Sequence, residues 1–266
     1  MLSLVVLSAA AGAAVLVAAQ DGLLERLLGP EQAPATTSPP SALGGMLSAK
    51  PLEDLRGPSR VVYLNREGVL LRSGADDAAL NISSVVANSP LDEAFVSPFA
   101  GSLTRWSAIA KCIRGKFEPF DIQVVEQRPI GQDYIMAVLG GTPEQLGFRE
   151  KDGHVHSHST GLAPFNGKNI PKAVVFIFTH ALRESLKETC EAASMEIAHA
   201  YGLDHARHCK DLMTYMKPCG ARSFLDKNIP CGEHEDRPCQ GGTPTQNSYR
   251  QLMELLGPRP KGRAME

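Results

Sequence analysis

The segment Met195-Glu196-Ile197-Ala198-His199-Ala200-Tyr201-Gly202-Leu203-Asp204-His205 constrains this chain more than any other feature. A long helix is predicted from about Leu182 to Tyr201. Gly202 can take a positive φ, which stops the helix and swings the chain back. Glu196 and His199 stand three residues apart and share one helical face. His205, on the returning loop, can approach the same point. This arrangement points to a metal held by His199 and His205, with Glu196 as general base taking a proton from the attacking water. The plain alternative is a helix end with hydrogen-bonded structural histidines and a solvated glutamate.

The remainder of the chain sets the compartment and the domain plan. Residues 1–19 carry no charge and are rich in Leu, Val and Ala. That predicts a signal peptide or a membrane anchor, and so a secreted, periplasmic or cell-surface protein. Residues 20–59 hold a short amphipathic patch and then a Pro/Ser/Thr-rich stretch that cannot bury a core, a flexible linker. One domain over 60–257 and a short tail over 258–266 account for the rest. With 27 basic against 29 acidic residues and a net charge of −2, a nucleic-acid partner is excluded. Membrane contact is left to an uncleaved N-terminal segment, and the oligomeric state stays open.

All six cysteines lie in the body, and an even count on an exported chain implies disulfides. Short spacings favour Cys209–Cys219 and Cys231–Cys239, which leaves Cys112–Cys190 as a bridge between two helices. Val61–Leu64, the turn Asn65–Gly68 and Val69–Leu71 read as a hairpin. Leu103, Trp106, Ile109, Ile113 and Phe117 recur at helical spacing and predict an amphipathic helix on a sheet. Strands are expected over Ile122–Val125, Tyr134–Leu139 and Ala173–Phe178, the last buried and central. A final helix runs over about Ser248–Leu256. This order defines an α+β domain. Ser73–Asp77 is better read as a turn than as a Ca²⁺ loop.

The stretch Asp211-Leu212-Met213-Thr214-Tyr215 adds a second signal downstream. Together, E-x-x-H-x-x-G-x-x-H and this turn resemble the metzincin clan of zinc peptidases. Met213 follows His205 by eight positions, a spacing similar to that of the matrixins. Met213-Thr214-Tyr215 looks like the Met-x-Tyr turn of astacins and serralysins. The resemblance covers roughly Arg60 to Leu256 in element order, with its specific residues between Met195 and Tyr215. It implies a zincin-like fold: a twisted mixed sheet of about five strands, an active-site helix beneath it, a second packing helix and a C-terminal helix. An edge strand would frame an extended protein or peptide substrate. It also implies Zn²⁺ on His199 and His205, Glu196 as catalytic base, and Tyr215 as metal ligand or oxyanion stabiliser. Gly202 and Met213 would shape the site.

One position departs from the clan. Its first ligand histidine is Met195 here, and a thioether suits Cu(I) better than Zn²⁺. Met195 then reads as a core residue filling the ligand's place or as a soft-metal ligand. Tyr215 or the run His154-Val155-His156-Ser157-His158, whose histidines alternate, could fill the gap. Two functions follow: metal-dependent peptide hydrolysis, or a pseudo-peptidase that binds extended peptides in the same cleft.

Overall fold

The computed structural model describes residues 57–148, 159–182 and 185–262, all within the unit Lys50–Glu266. Residues 1–19, nearly all of the linker and the His154–His158 run lie outside the described residues. In chain order the strands and helices begin with β1 (Val61–Asn65), β2 (Val69–Ser73), β3 (Ile82–Ser83), α1 (Ser84–Ala87) and β4 (Glu93–Val96). There follow α2 (Leu103–Phe117), β5 (Gln123–Val125), β6 (Ile135–Leu139), β7 (Gly161–Leu162) and β8 (Val174–Ile177). The domain continues with α3 (Leu186–Ala200), β9 (Ile229–Pro230), β10 (Thr245–Gln246) and α4 (Ser248–Leu256).

Five strands form a mixed sheet in the order β5-β1-β6-β8-β7, parallel except for the antiparallel edge strand β7. Strands β1, β6 and β8 are buried along their whole length, as parallel strands covered on both faces must be. Their alternation sorts side chains into two cores. Val62, Leu64, Ile135, Ala137, Leu139, Val175 and Ile177 face the helices, among them Trp106, Ile109 and Ile113 of α2 and Leu252 of α4. Val61, Tyr63, Met136, Val138, Val174 and Phe176 face a second, three-stranded sheet, β3-β2-β4, through Leu71, Ala94 and Val96. The body is therefore layered: small sheet, large sheet, helices.

Four expectations need correction. Val61–Leu64 and Val69–Leu71 do not pair as a hairpin, because β1 joins β5 and β6 while β2 joins β3 and β4. The burial patterns give the reason. β1 is covered on both faces, whereas β2 alternates as a strand with one face in solvent. The strand expected at the centre, β8, is interior but sits beside the edge; β6 holds the middle. The helix expected from Leu182 starts at Leu186, where the Ser185 side chain accepts the Glu188 amide as N-cap. The helix over Leu103–Phe117 stands where its spacing puts it, yet Leu103 is 68% exposed and Ala110 completes the buried stripe instead.

The cysteines pair as Cys112–Cys190, Cys209–Cys219 and Cys231–Cys239. The first joins α2 to α3, and the other two close loops after α3. Three disulfides indicate an oxidising, extracellular environment. Among the described residues no helix is long and apolar enough to cross a membrane. At Ser73–Asp77 the carboxylates serve the turn: Asp77 caps Ala78–Leu80 and pairs with Lys172 at 2.8 Å, and Asp76 accepts from Ser84.

Candidate metal centre

The C-terminus of α3 builds the centre. Tyr201 caps the helix and Gly202 follows at φ +89°. The Gly202 amide donates to the His199 carbonyl (2.8 Å) and the Leu203 amide to the Ala198 carbonyl (3.1 Å), a Schellman closure. A Cβ on Gly202 would lie 2.9 Å from the Lys168 backbone, so glycine is needed for shape as well as for φ. This turn carries the Leu203 carbonyl over His199 and brings His205 back to it. The sequence pattern thus describes a real geometric device.

The two imidazoles meet through Nε2, 2.9 Å apart. His199 Nδ1 lies 2.7 Å from the Leu203 carbonyl oxygen, an acceptor only, so Nδ1 carries the proton and donates. His205 Nδ1 lies 2.6 Å from Glu233 Oε1. The Arg237 hydrogen bond, and then that of His205, hold the Glu233 carboxyl down at about 2, so it is an ionised acceptor. His205 Nδ1 therefore donates too. With both Nδ1 atoms committed to oxygen acceptors, the two rings turn their Nε2 atoms toward one point. That arrangement calls for a cation between them, a proton or a metal ion. Burial, and then the charge of His205, push His199 down to about 3, so His199 keeps its Nε2 lone pair free to act as an acceptor or a ligand. The donor set, two imidazoles whose Nδ1 atoms are held by oxygen acceptors and whose Nε2 atoms converge, fits a zinc-type ion.

Glu196 lies one helical turn before His199 on α3. The residue is 7% exposed, and among the described residues its carboxylate forms no hydrogen bond or ion pair. Burial alone pushes it up to about 8. Gly161, at the start of edge strand β7, packs directly on it: a Cβ there would come within 2.5 Å of Glu196 Cγ and Oε1. Holding a carboxylate in a residue this buried, with no hydrogen bond among the described residues, costs free energy, and such groups are candidates for functional sites.

Tyr215 is half exposed, and its ring lies over His205, 4.2 Å between centroids. Burial, then the charges of Glu196 and Glu233, push its hydroxyl up to about 12, so it remains a neutral donor at physiological pH. Arg222, itself buried, donates to the carbonyls of Thr214 (3.2 Å) and Met216 (2.8 Å), fixing the backbone on both sides of Tyr215. Met213 is fully buried, and its carbonyl accepts the Ala206 amide at 2.9 Å. Asp211 organises the turn by accepting from the Met213 amide (2.9 Å) and the Ser248 hydroxyl (2.6 Å). Met195, one turn before His199, is 6% exposed and belongs to the helix-side core.

Two contributors escaped the sequence reading. The Phe165 ring lies tilted against His199, 5.2 Å between centroids, as the Tyr215 ring lies against His205. Glu233 lies 28 residues beyond His205 on the loop closed by Cys231–Cys239. Its only advance signal is an acidic side chain inside a short disulfide bracket. Asp204, His205 and Glu233 also bring their ligand-type atoms within 4.8 Å of one another. There the cation is Arg237, which bonds Asp204 at 2.7 and 2.8 Å and Glu233 at 2.7 Å. Compared with known proteins, the chain matches no family model and no curated protein.

Proposed function

We propose that this chain is an exported metallopeptidase of metzincin type that hydrolyses peptide bonds in an extended protein substrate. The observation that carries the reading is the convergence of the His199 and His205 Nε2 atoms, with Glu196, which has no hydrogen-bond partner among the described residues, one helical turn before His199 on α3. His199 and His205 would hold Zn²⁺, which polarises the scissile carbonyl as a Lewis acid. Glu196 takes the proton of the attacking water. Burial raises Glu196 to about 8, and a cation on the histidines would favour its ionised, basic form. Tyr215, neutral and half exposed, donates to the oxyanion. The substrate backbone adds to β7, an edge strand among the described residues, where Gly161 packs directly on Glu196.

A second reading rests on Met195. Its burial in the helix-side core supports a peptide-binding protein that retains the cleft without hydrolysis. Cleavage of an unfolded protein separates the two. The mature, disulfide-bonded chain should cleave, and Glu196→Gln should lower the rate by at least about 100-fold. Equal product from both proteins rules out Glu196 as base, and tight binding without product establishes the second reading.

A further inference from the structure

We infer that Glu233 is the positioning residue of this centre: its carboxylate, fixed by Arg237 on the disulfide-closed loop, holds His205 with Nε2 turned to the metal ion. The inference rests on the reading of His199 and His205 as ligands. His199 is oriented by the helix end that bears it, through the Leu203 carbonyl. His205 stands on a loop, and Glu233 takes the corresponding role at 2.6 Å from Nδ1.

The loop is built for that contact. The Gly232 amide donates to the His205 carbonyl (3.0 Å), and the Arg207 amide to the Pro230 carbonyl (2.9 Å). Cys231 bridges to Ala206 on one side and to Arg237 on the other. Backbone bonds thus register Glu233 against His205 before any side chain is placed. Arg237 then spans Glu233 and Asp204. Asp204 is secured in turn by the Gln240 amide (2.8 Å) and by Gln246 of β10. Two carboxylates share one guanidinium, which leaves net negative charge beside His205. A carboxylate on the far nitrogen fixes the tautomer and makes an imidazole a stronger ligand. The effect weighs more here because Met195 contributes no imidazole.

Two measurements on the full mature chain with its disulfides intact test the inference. Zinc affinity is read by competition with a chromogenic chelator, and the His205 tautomer by nitrogen NMR of the zinc-free protein. Glu233→Gln keeps an acceptor oxygen and removes the charge; Glu233→Ala removes both. The expected result is zinc binding weakened about 10- to 100-fold, more by Ala than by Gln. In the zinc-free protein, His205 should be a single Nδ1–H tautomer, and mixed in Glu233→Ala. Zinc affinity within twofold of wild type in both folded variants overturns the inference. If wild type binds no zinc, the peptidase reading fails separately, and the tautomer decides: loss of the Nδ1–H form in Glu233→Ala supports the positioning role, and an unchanged ring spectrum overturns it. Should the variants not fold, an Nε2–H form of His205 in wild type overturns it, and the Nδ1–H form supports it.

Discussion

Glu196 and Met195 are neighbours in the chain with opposite implications. The Glu196 carboxyl is raised to about 8 by burial from an ordinary value of 4.5, and the consequence for the zinc-free protein can be worked out. Below about pH 4.5 the group is protonated in both folded and unfolded chains and adds nothing to the pH dependence. Between 4.5 and 8 the folded chain keeps a proton that the unfolded chain has released, so stability falls as pH rises. Above 8 the loss levels off. Denaturation in the presence of a chelator should show this decline, on the order of a few kcal/mol, and Glu196→Gln should remove most of it. An equal slope in the variant would place the titration elsewhere. At Met195, replacement by His should tighten zinc binding by more than about tenfold. Unchanged affinity would show that position 195 does not face the metal.

At the scale of elements, α3 and edge strand β7 meet where Gly161 packs on Glu196, and Gly161 sets their separation. Gly161→Ala brings a Cβ to 2.5 Å from Glu196 Cγ. The side chain must move, so turnover should fall markedly while zinc content holds. Loss of zinc with turnover would mean that the strand supports the histidines instead. Cys112–Cys190 ties α2 to α3 across 78 residues, and loop entropy assigns it about 4 kcal/mol of stability. Replacing both cysteines by Ala should lower the denaturation midpoint accordingly. Helices with one apolar stripe and a terminal signal were legible in the sequence: Leu103–Phe117 and Ser248–Leu256 begin and end where their patterns predict. Strand pairing was not legible, since Val61–Asn65 and Val69–Ser73 are adjacent in the chain but belong to different layers. Pairing depends on which faces are buried, which only the assembled layers decide. The same holds for the site. Glu196, His199, Gly202 and His205 fall within one helix end and its turn, so local spacing reveals them. Glu233 and Phe165 reach the centre through tertiary contacts and leave no periodic trace.

The whole molecule places its centre where the helix layer meets the edge of the large sheet, and its disulfides brace that region. One fastens α3 from behind, one closes the loop bearing Tyr215, and one closes the loop bearing Glu233. Reduction should therefore loosen the centre more than the two apolar cores. The central claim is that His199 and His205 hold a metal ion despite Met195. The most direct measurement is metal content by mass spectrometry of the mature, disulfide-bonded chain, beside His199→Ala and His205→Ala. One zinc per wild-type chain, lost in both variants, is the predicted result. A metal-free wild type that gains zinc only on Met195→His would contradict it.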